Sequence, residues 1–328
     1  MSTLTDDLDR RLMLEHTSAQ DYQAANLQNK RYLVHEPGGR GFFAEFSTVA
    51  HAMVYAWTNN LQFVLDSSRW SFGIEQGWAD YFIPIFPEYQ SAMDDRVEFR
   101  TSERVHPSVE GRHIHYHNVL FSRPARVAIG DHIVLGDHPI NIHFLRMLFR
   151  YNGKIRRAIE AQINALELPD HYVALHLRRG DKVGDEDILY PTQAYLDHVS
   201  EAYRNLPVFA MSDDHAAIND VREALAGDGS GRALFSLTEK NQAGFNEQRL
   251  QRGAFFLQAD SSPTSDTERS TYTNNEVIRL LAETVIAAQS QCFVGTYFSN
   301  VGKVIRDLHQ LPNRVTLMQP HQLERKPQ

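Results

Sequence analysis

The second half of the chain alternates between short apolar runs and longer amphipathic segments. Strands are predicted at 172–177, 208–211, 233–237, 292–296 and 314–318, and helices at 193–206, 215–226, 275–289 and 301–308. Short apolar runs bounded by turns indicate buried strands, and strand–helix alternation makes the strands parallel. The sequence therefore predicts an α/β fold with a parallel sheet in this half.

The first half follows a less regular pattern. A helical arm is expected within 1–30, followed by a strand at 31–36, a tight loop at 37–41, a helix at 44–57 and a strand at 61–66. Alternating strands are expected at 113–121 and 126–130, and one long helix from about 142 to 166. A boundary at Pro169-Asp170 would separate an N-terminal domain, 1–168, from a C-terminal domain, 169–328.

Composition excludes several classes of protein. The formal net charge of −8 is wrong for a general nucleic-acid binder, which needs a basic face. The only cysteine, Cys292, allows no intrachain disulfide and fits a reducing compartment. No apolar run approaches the length of a membrane span. We expect a cytoplasmic protein, or a catalytic domain of a larger anchored one.

A charged cluster follows the strand predicted at 172–177. It holds Arg178, Arg179, Asp181, Lys182, Asp185, Glu186 and Asp187. Ligands of open α/β sheets bind beyond the carboxyl ends of the strands, where guanidinium groups can hold a diphosphate and a carboxylate can accept a proton. This combination indicates group transfer from a donor with a phosphate leaving group. The alternative is a solvated turn with weak surface ion pairs.

The loop before the helix at 44–57 permits a competing hypothesis. Gly39, Gly41 and Ala44 fit a loose dinucleotide fingerprint, and Asp66 ends the next strand where a ribose-binding acid belongs. A lone fingerprint is equally compatible with an NAD site, with another phosphate site and with a structural turn.

Two clusters could bind a metal. Asp185 and Asp187 have the Asp-x-Asp spacing that holds a divalent ion against a diphosphate, although arginine and lysine can neutralise the same charge. His113, His115 and His117 would share one face of a strand, a spacing that suits a transition metal and also an ordinary polar face. We predict no metal at either cluster.

Other candidate residues stand at predicted strand and helix ends. Asp214, within Ser212-Asp213-Asp214, and the pair Ser299 and Asn300 would either contact a ligand or cap the helices that follow. Glu283 is flanked by apolar residues, so its carboxylate is expected to be buried and to need a partner.

Residues 176–186 resemble the motif His-x-Arg-Arg-x-Asp-Lys-Val-Gly-x-Glu of the core alpha-1,6-fucosyltransferases. Three further segments match in the same order: the glycine loop, 212–214 and 283–301. The size of the chain is closer to that of the bacterial enzyme that fucosylates nodulation factors. The resemblance implies a GT-B fold of two Rossmann-like domains facing a cleft, with the donor in the C-terminal domain and the acceptor across the cleft.

The resemblance also implies roles for individual residues in an inverting, metal-independent transfer of fucose from GDP-fucose to a hydroxyl of a glycan or glycoconjugate. The catalytic residues would be Arg178, which stabilises charge on the leaving phosphate, Glu186, which is the base, and Lys182, which holds the pyrophosphate or orients Glu186. The donor would be bound by Gly39, Gly41, His176, Arg179, Asp181, Asp214, Glu283, Ser299 and Asn300, with His176 and Glu283 selecting guanine. No cofactor is expected beyond the donor substrate.

This sequence departs from the family motifs at three positions, where Gly180 replaces a Thr, Glu283 an Asp and Asn300 a Gln. Two rival functions stay open. An NAD-dependent oxidoreductase would use the glycine loop and Asp66 but would leave the cluster at 176–186 unemployed. A non-catalytic sugar-nucleotide-binding protein would keep the arginines without needing Glu186.

Overall fold

The computed structural model describes residues 19–38, 40–102, 108–109, 112–113, 126–129, 132–135, 139–179, 189–244, 263 and 265–319. The chain divides into two compact units, Met1–Arg156 and Arg157–Gln328. The boundary expected after residue 168 stays a prediction. Among the described helices, none has both the length and the apolar character needed to cross a membrane.

The first unit contains a three-stranded parallel sheet in the order β2-β1-β3, and two antiparallel strand pairs, β4 with β5 and β6 with β7. The strands are β1 (Tyr32–Glu36), β2 (Gln62–Leu65), β3 (Val97–Ser102), β4 (Ser108–Val109), β5 (Arg112–His113), β6 (Arg126–Ile129) and β7 (His132–Leu135). A helical segment at 19–26 precedes β1. Helices α1 (Phe42–Thr58) and α2 (Pro139–Leu148) complete the unit, and α3 (Gly153–Ala165) carries the division between the units.

Helix α1 forms the centre of this unit because its sequence is apolar on most sides. Phe46 is fully buried and stacks on Trp78, with ring centroids 5.2 Å apart, and its centroid lies 4.6 Å from that of Phe149. Aromatic side chains bury large apolar areas and favour such offset and tilted contacts. The aromatic residues of the first half therefore build a hydrophobic core.

The long helix expected from 142 to 166 is wrong, because two helices occupy this stretch. Asn152 explains the break between α2 and α3. Its Oδ1 accepts the backbone N–H of Ile155 at 3.0 Å, which caps the start of α3, and its Nδ2 donates to the carbonyls of Ala79 and Asp80, both at 3.0 Å. A side chain that satisfies the orphan N–H groups of a new helix favours a break at that point.

The second unit contains a five-stranded parallel sheet in the order β10-β9-β8-β11-β12. The predicted parallel sheet is therefore confirmed. Its strands are β8 (Val173–Leu177), β9 (Val208–Ser212), β10 (Leu234–Phe235), β11 (Cys292–Thr296) and β12 (Val315–Met318). Its helices are α4 (Thr192–Asp197), α5 (His215–Gly227), α6 (Asp266–Gln289) and α7 (Asn300–Leu308), in addition to α3.

The two faces of this sheet pack against different helices. Val173, Leu175 and Leu177 of β8 join a hydrophobic cluster with residues of α4 and α5. Alternate residues of a strand point to opposite faces, so His176 lies on the other face. Helix α6 contacts both β8 and α7, and we place it on the face that includes His176.

The predicted start of α6 at residue 275 is wrong, because the helix begins nine residues earlier, at Asp266. Ser265 is its N-cap and accepts the backbone N–H of Glu268 at 3.2 Å. Asp266 and Glu268 lie in the first turn, where negative side chains are favoured by the helix dipole. The spacing Ser-x-x-Glu is a capping-box signature, which the polar composition of the segment concealed. Helix α4 is shorter than the expected helix at 193–206 and ends at Asp197.

Candidate active site

The strand order of the second unit creates a topological switch point. From β8 the chain moves outward to β9 and β10, then crosses back to place β11 on the other side of β8. In open α/β sheets, ligands bind outside the carboxyl ends of the strands at such a point. Arg178 follows β8, and the segment from Tyr297 to Ser299 follows β11, whose last residue is Thr296. The residues singled out in the sequence therefore flank the switch point.

Asp213, directly after β9, anchors both arginines. Its Oδ2 forms an ion pair with Nη1 of Arg178, and its Oδ1 accepts the backbone N–H of Arg179 at 2.9 Å. The side chains of Arg178 and Asp213 are only 14% and 8% exposed, so water screens this pair less than it screens a surface pair. The carboxylate that fixes the arginines is therefore Asp213. Asp181, a candidate for donor binding, lies outside the described residues.

The Arg179 side chain bridges the two ends of the segment 180–188. Its Nη1 donates to the carbonyl of Arg178 at 3.4 Å and to the carbonyl of Tyr190 at 3.3 Å, while Nη2 contacts Oγ1 of Thr192 at 3.5 Å. This segment carries the candidates Asp181, Lys182 and Glu186, which are outside the described residues, as are Asp185 and Asp187. Direct contact of Arg179 with a donor stays a prediction.

His176 is 4% exposed, and within the described part of the chain its Nδ1 has no hydrogen-bond partner. Burial, and secondarily the positive charge of Arg178, lower the pKa of His176 to about 3. The ring is therefore neutral at physiological pH. A neutral imidazole has one donor and one acceptor nitrogen, so it can read a polar ligand edge without adding charge.

Glu283 on α6 is 3% exposed, and its Oε1 also has no hydrogen-bond partner among the described residues. Burial raises the pKa of Glu283 to about 7; Arg279 opposes this shift, Glu276 adds to it, and a hydrogen bond with Thr238 opposes it. A buried polar atom without a partner costs free energy, which a ligand donor can recover. Glu283 is therefore suited to bind a donor group.

Ser212 and Thr238 connect these residues through hydrogen bonds. Ser212 Oγ donates to the carbonyl of Leu177 at 2.8 Å, and Thr238 Oγ1 accepts the backbone N–H of Ser212 at 3.2 Å. Thr238 also bonds to Glu283. The end of β8, the end of β9 and the middle of α6 thus belong to one polar layer at the carboxyl edge of the sheet.

Two candidate residues cap helices. Asp214 is the N-cap of α5, and its Oδ1 accepts the backbone N–H of Ala216 at 2.9 Å. Ser299 is the N-cap of α7 and accepts the N–H of Gly302 at 3.4 Å, and Asn300 is the first residue of that helix. The capping alternative is thus realised for Asp214 and Ser299, while a contact of Asp214, Ser299 or Asn300 with a donor stays a prediction.

Gly302 lets the first turn of α7 approach the end of β11. A Cβ at this position would lie 2.9 Å from the carbonyl oxygen of Thr296 and 3.3 Å from Leu317. Thr296 is fully buried, and its Oγ1 has no hydrogen-bond partner within the described ranges. The N-terminus of α7 is therefore held close to a buried hydroxyl at the switch point.

The glycine loop of the first unit binds a carboxylate of the protein itself. Glu45, 1% exposed, accepts the backbone N–H of Gly38 through Oε2 at 2.7 Å and that of Arg40 through Oε1 at 2.8 Å. These are N–H groups of the kind that hold a phosphate at a helix N-terminus. Glu45 therefore occupies the place of an anion, and this weakens the dinucleotide hypothesis.

Other parts of the dinucleotide hypothesis also receive a structural explanation. Asp66 Oδ1 accepts the hydroxyl of Ser68 at 2.5 Å, as in a local turn. Gly39 lies outside the described residues. Gly41 has φ −62°, and a Cβ there would meet no atom within 4 Å, so the fold itself does not require glycine. That Gly41 allows a donor to approach stays a prediction.

Among the residues described, no group of three or more His, Cys, Asp or Glu side chains is arranged to hold a metal ion. His113 lies in β5, paired with Ser108, whereas His115 and His117 are outside the described residues. The two metal hypotheses therefore concern segments of which only the backbone of His113 is described.

A family model for the alpha-(1,6)-fucosyltransferase N- and catalytic domains matches residues 137–314, more than half of the 328 residues. The chain belongs to this family. The resemblance seen in the sequence is confirmed. The match includes all of β8 to α7 and excludes the glycine loop at 37–41, so it covers the switch point of the second unit and not the loop occupied by Glu45.

Relatives with known names agree with this membership. The alpha-(1,6)-fucosyltransferase of Drosophila melanogaster is 23% identical over 218 residues, which are 60% of this chain and 35% of the fly protein. The chain thus spans about a third of the length of that relative.

Solved structures show the fold. A crystal structure of NodZ alpha-1,6-fucosyltransferase soaked with GDP-fucose has a TM-score of 0.50 and 13% identity, covering 85% of this chain and 93% of NodZ. The selenomethionine structure of NodZ from Bradyrhizobium has a TM-score of 0.51 and 13% identity, covering 89% of this chain and 96% of that one. The predicted mixed α/β fold of the GT-B-like fucosyltransferases is confirmed.

Sequence reasoning missed several residues that shape the site. Asp213 belongs to the motif Ser212-Asp213-Asp214, in which the sequence analysis selects Asp214 as the ligand-binding candidate. No pattern in the sequence tells which of two adjacent acids points to the arginines. Glu276 and Arg279 share the face of α6 with Glu283, and their spacing of three and four residues was a usable signal. Gln242 and Thr238 lie in a loop and gave no signal.

We predict that Asp213→Asn lowers the free energy of unfolding by about 1.5 to 3 kcal/mol, because the largely buried guanidinium of Arg178 loses a charge-assisted hydrogen bond to the Asp213 carboxylate. Denaturant unfolding checks this value. Asp220→Asn is the matched control: Asp220 is 55% exposed and 3.8 Å from Arg179, so a change within about 0.5 kcal/mol is expected. Equal effects of the two variants would contradict the anchoring role of Asp213.

Proposed function

We propose that this protein is a glycosyltransferase that transfers fucose from GDP-fucose to a hydroxyl of a glycan or glycoconjugate, with inversion and without a metal ion. The observation that carries the proposal is the switch point of the five-stranded sheet, where Arg178 is fixed by Asp213 on the strand edge that also bears His176. Family membership supports the reaction class, and NodZ, which has the same fold, was crystallised and soaked with GDP-fucose.

Guanine would be bound by the buried polar atoms that have no hydrogen-bond partner among the described residues. Its N1–H and amino groups present two donors side by side, and a carboxylate can accept both. Glu283 offers a buried Oε1 for this purpose, and the neutral His176 on the same side of the sheet supplies a second polar contact. The N-terminus of α7 and the hydroxyl of Thr296 would contact phosphate or sugar hydroxyl groups.

The transfer step requires charge stabilisation and a base. The bond between the anomeric carbon and the β-phosphate oxygen breaks, and its electron pair leaves with GDP. Arg178 would stabilise this negative charge, a task that a divalent cation performs in other transferases. The acceptor oxygen attacks from the opposite face and gives its proton to Glu186. Lys182 would hold the pyrophosphate or orient Glu186, and Asp181 would hold the arginines in place.

Arg179 has a positioning role in this proposal. Because it ties the carbonyls of Arg178 and Tyr190 together, it fixes both ends of the segment that contains Lys182 and Glu186. A cytoplasmic location fits the single cysteine, Cys292, which is a buried free thiol, since a reducing compartment keeps thiols unpaired.

The oxidoreductase alternative predicts a different ligand, so a binding experiment decides between the two. GDP should raise the melting temperature, because a ligand that binds only the native state stabilises it by about 2.7 kcal/mol at a concentration one hundred times its dissociation constant. NAD and NADP should have no effect, since Glu45 occupies the glycine loop. Thermal shift with GDP, UDP, NAD and NADP measures this. Stabilisation by NAD and not by GDP would overturn the proposal.

We predict that Glu186→Gln lowers turnover by about two to four powers of ten and leaves the affinity for GDP nearly unchanged, because the amide keeps the shape but cannot accept the proton. Single-turnover transfer and GDP titration measure the two quantities. Asp185→Asn is the matched control and should be mild in both. A non-catalytic binding protein would show no transfer in any variant. Normal transfer by Glu186→Gln would assign the base to another residue.

Metal independence has its own test. Treatment with excess EDTA should leave the rate of donor hydrolysis or transfer unchanged, because Arg178 stabilises the leaving phosphate. Rates before and after dialysis against the chelator, with Mg²⁺ or Mn²⁺ restored, measure the effect. A strict requirement for either cation would favour a metal site at Asp185 and Asp187.

A further inference from the structure

Helix α6 carries three buried charged residues on one face. Glu276, Arg279 and Glu283 are 5%, 6% and 3% exposed, although their neighbours Val277, Leu281 and Val285 are apolar core residues. Residues three and four positions apart lie above one another on a helix, so Arg279 lies between the two carboxylates. Burying charges is costly unless they are paired, and the arrangement therefore calls for a reason.

Three of the buried groups form hydrogen bonds with one another. Nη2 of Arg279 lies 2.5 Å from Oε2 of Glu276, Nη1 of Arg279 donates to Oε1 of Gln242, and Nε2 of Gln242 donates to the same Oε2 of Glu276 at 2.9 Å. Gln242 is 2% exposed, and its backbone carbonyl accepts the backbone N–H of His215, the first residue of α5. This closed triangle holds the guanidinium of Arg279 in one place.

Glu283 stands outside the triangle, one helical turn beyond Arg279. Its Oε1 has no hydrogen-bond partner in the described part of the chain, while Glu276 has both Arg279 and Gln242. The cluster therefore contains one cation and two carboxylates, and Glu283 is the carboxylate whose buried Oε1 has no hydrogen-bond partner among the described residues. A purely structural ion pair between Glu276 and Arg279 would not need this third charge.

We propose that Arg279, locked by Glu276 and Gln242, is a positioning residue that favours the charged form of the Glu283 carboxylate, the form that accepts the donors of the nucleobase. This inference rests on the proposed function, in which Glu283 binds guanine. A carboxylate accepts the two adjacent donors of guanine, whereas a protonated carboxyl group has lost part of its acceptor capacity and offers a donor instead. The charge of Glu283 thus decides which base edge fits.

The groups around Glu283 set the direction of each effect. On α6, Arg279 lowers the pKa of Glu283 and Glu276 raises it, and Thr238, in the loop after β10, lowers it by a hydrogen bond. Glu239 in the same loop acts on Arg279 and Glu276, as Tyr272 does on Arg279. With burial included, the pKa of Glu283 is about 7, so the charge of this residue changes near neutral pH.

The test measures base preference as a function of pH. Calorimetric titration with GDP and with ADP from about pH 5.5 to 9 gives the ratio of the two dissociation constants, in which the titration of the diphosphate cancels. For the unaltered protein, preference for GDP should rise with pH and have its midpoint near 7, because Glu283 is anionic above its pKa. A preference that does not vary with pH would overturn the inference.

Two variants should move the midpoint in opposite directions. Arg279→Met removes the cation and should shift the midpoint upward by about one to three pH units, with roughly a tenfold loss or more of GDP preference at pH 7. Glu276→Gln keeps the shape and the hydrogen bonds, removes the like charge and should shift the midpoint downward. Arg279→Lys retains the charge and should stay close to the unaltered protein. If Arg279→Met does not fold, an unmoved midpoint in Glu276→Gln still overturns the inference.

Glu283→Gln separates this inference from the proposed function. If Glu283 binds guanine, this variant should lose GDP preference at every pH and show no midpoint. Full GDP preference in Glu283→Gln would contradict the proposed contact itself. A loss in Glu283→Gln together with unmoved midpoints in Arg279→Met and Glu276→Gln would leave the proposed contact in place and overturn only the role of Arg279. A merely structural role would weaken GDP and ADP binding equally.

Discussion

The candidate site depends on the carboxylate of Asp213, which connects the end of β9 to the two arginines after β8. Parallel strands bring their carboxyl ends to one edge, but this alone does not fix the conformation of a long side chain such as that of Arg178. Because Asp213 follows the neighbouring strand, one oxygen pairs with the guanidinium of Arg178 and the other accepts the N–H of Arg179. The ordering entropy of an arginine is large, so prior fixation of Arg178 makes it a better electrostatic stabiliser than a mobile cation.

The buried polar layer behind this edge follows from the cost of desolvation. Ser212, Thr238, Gln242 and Glu276 all have partners within the protein. The atoms that lack partners in the described ranges include Nδ1 of His176, Oγ1 of Thr296 and Oε1 of Glu283. Such atoms are rare in native interiors and call for an explanation. These three atoms lie on β8, on β11 and on helix α6, which contacts β8, so a ligand at the switch point would supply their missing hydrogen bonds.

The fold could be predicted from the sequence where periodicity and burial act together. Strand β8 and helix α5 were placed within a residue or so because their apolar patterns match a buried strand and an amphipathic helix. The sequence predicts the start of α6 nine residues too late, because the first turns of this helix have a polar composition typical of a loop. The cap formed by Ser265 and Glu268 marks the true start. The break before α3 was missed because it depends on hydrogen bonds from Asn152 to residues about seventy positions earlier.

The site could be predicted in part for a related reason. A local motif places Arg178 and His176 at a strand end, but it does not say which distant carboxylate will reach them. Asp213 lies 35 positions from Arg178, and Gln242 lies 37 positions from Arg279. Pairings across such separations depend on the strand order and on helix packing, which the local sequence around the paired residues does not determine.

The sequence suggests two anion-binding sites, one at the glycine loop and one at the arginines Arg178 and Arg179, and the structure distinguishes between them. Both place anion-binding groups after the first strand of a parallel sheet, and both strands, β1 and β8, lie at a switch in strand order. At β1 the backbone N–H groups of Gly38 and Arg40 are bound by the buried carboxylate of Glu45. A phosphate there would have to displace an internal anion, and the buried carboxylate of Glu45 would lose its hydrogen bonds to the N–H groups of Gly38 and Arg40, at a cost of several kcal/mol. At β8 the internal carboxylate, Asp213, pairs with an arginine of the same edge, and Nδ1 of His176 has no hydrogen-bond partner among the described residues. Electrostatics therefore favours the second unit over the glycine loop as the candidate site for a diphosphate.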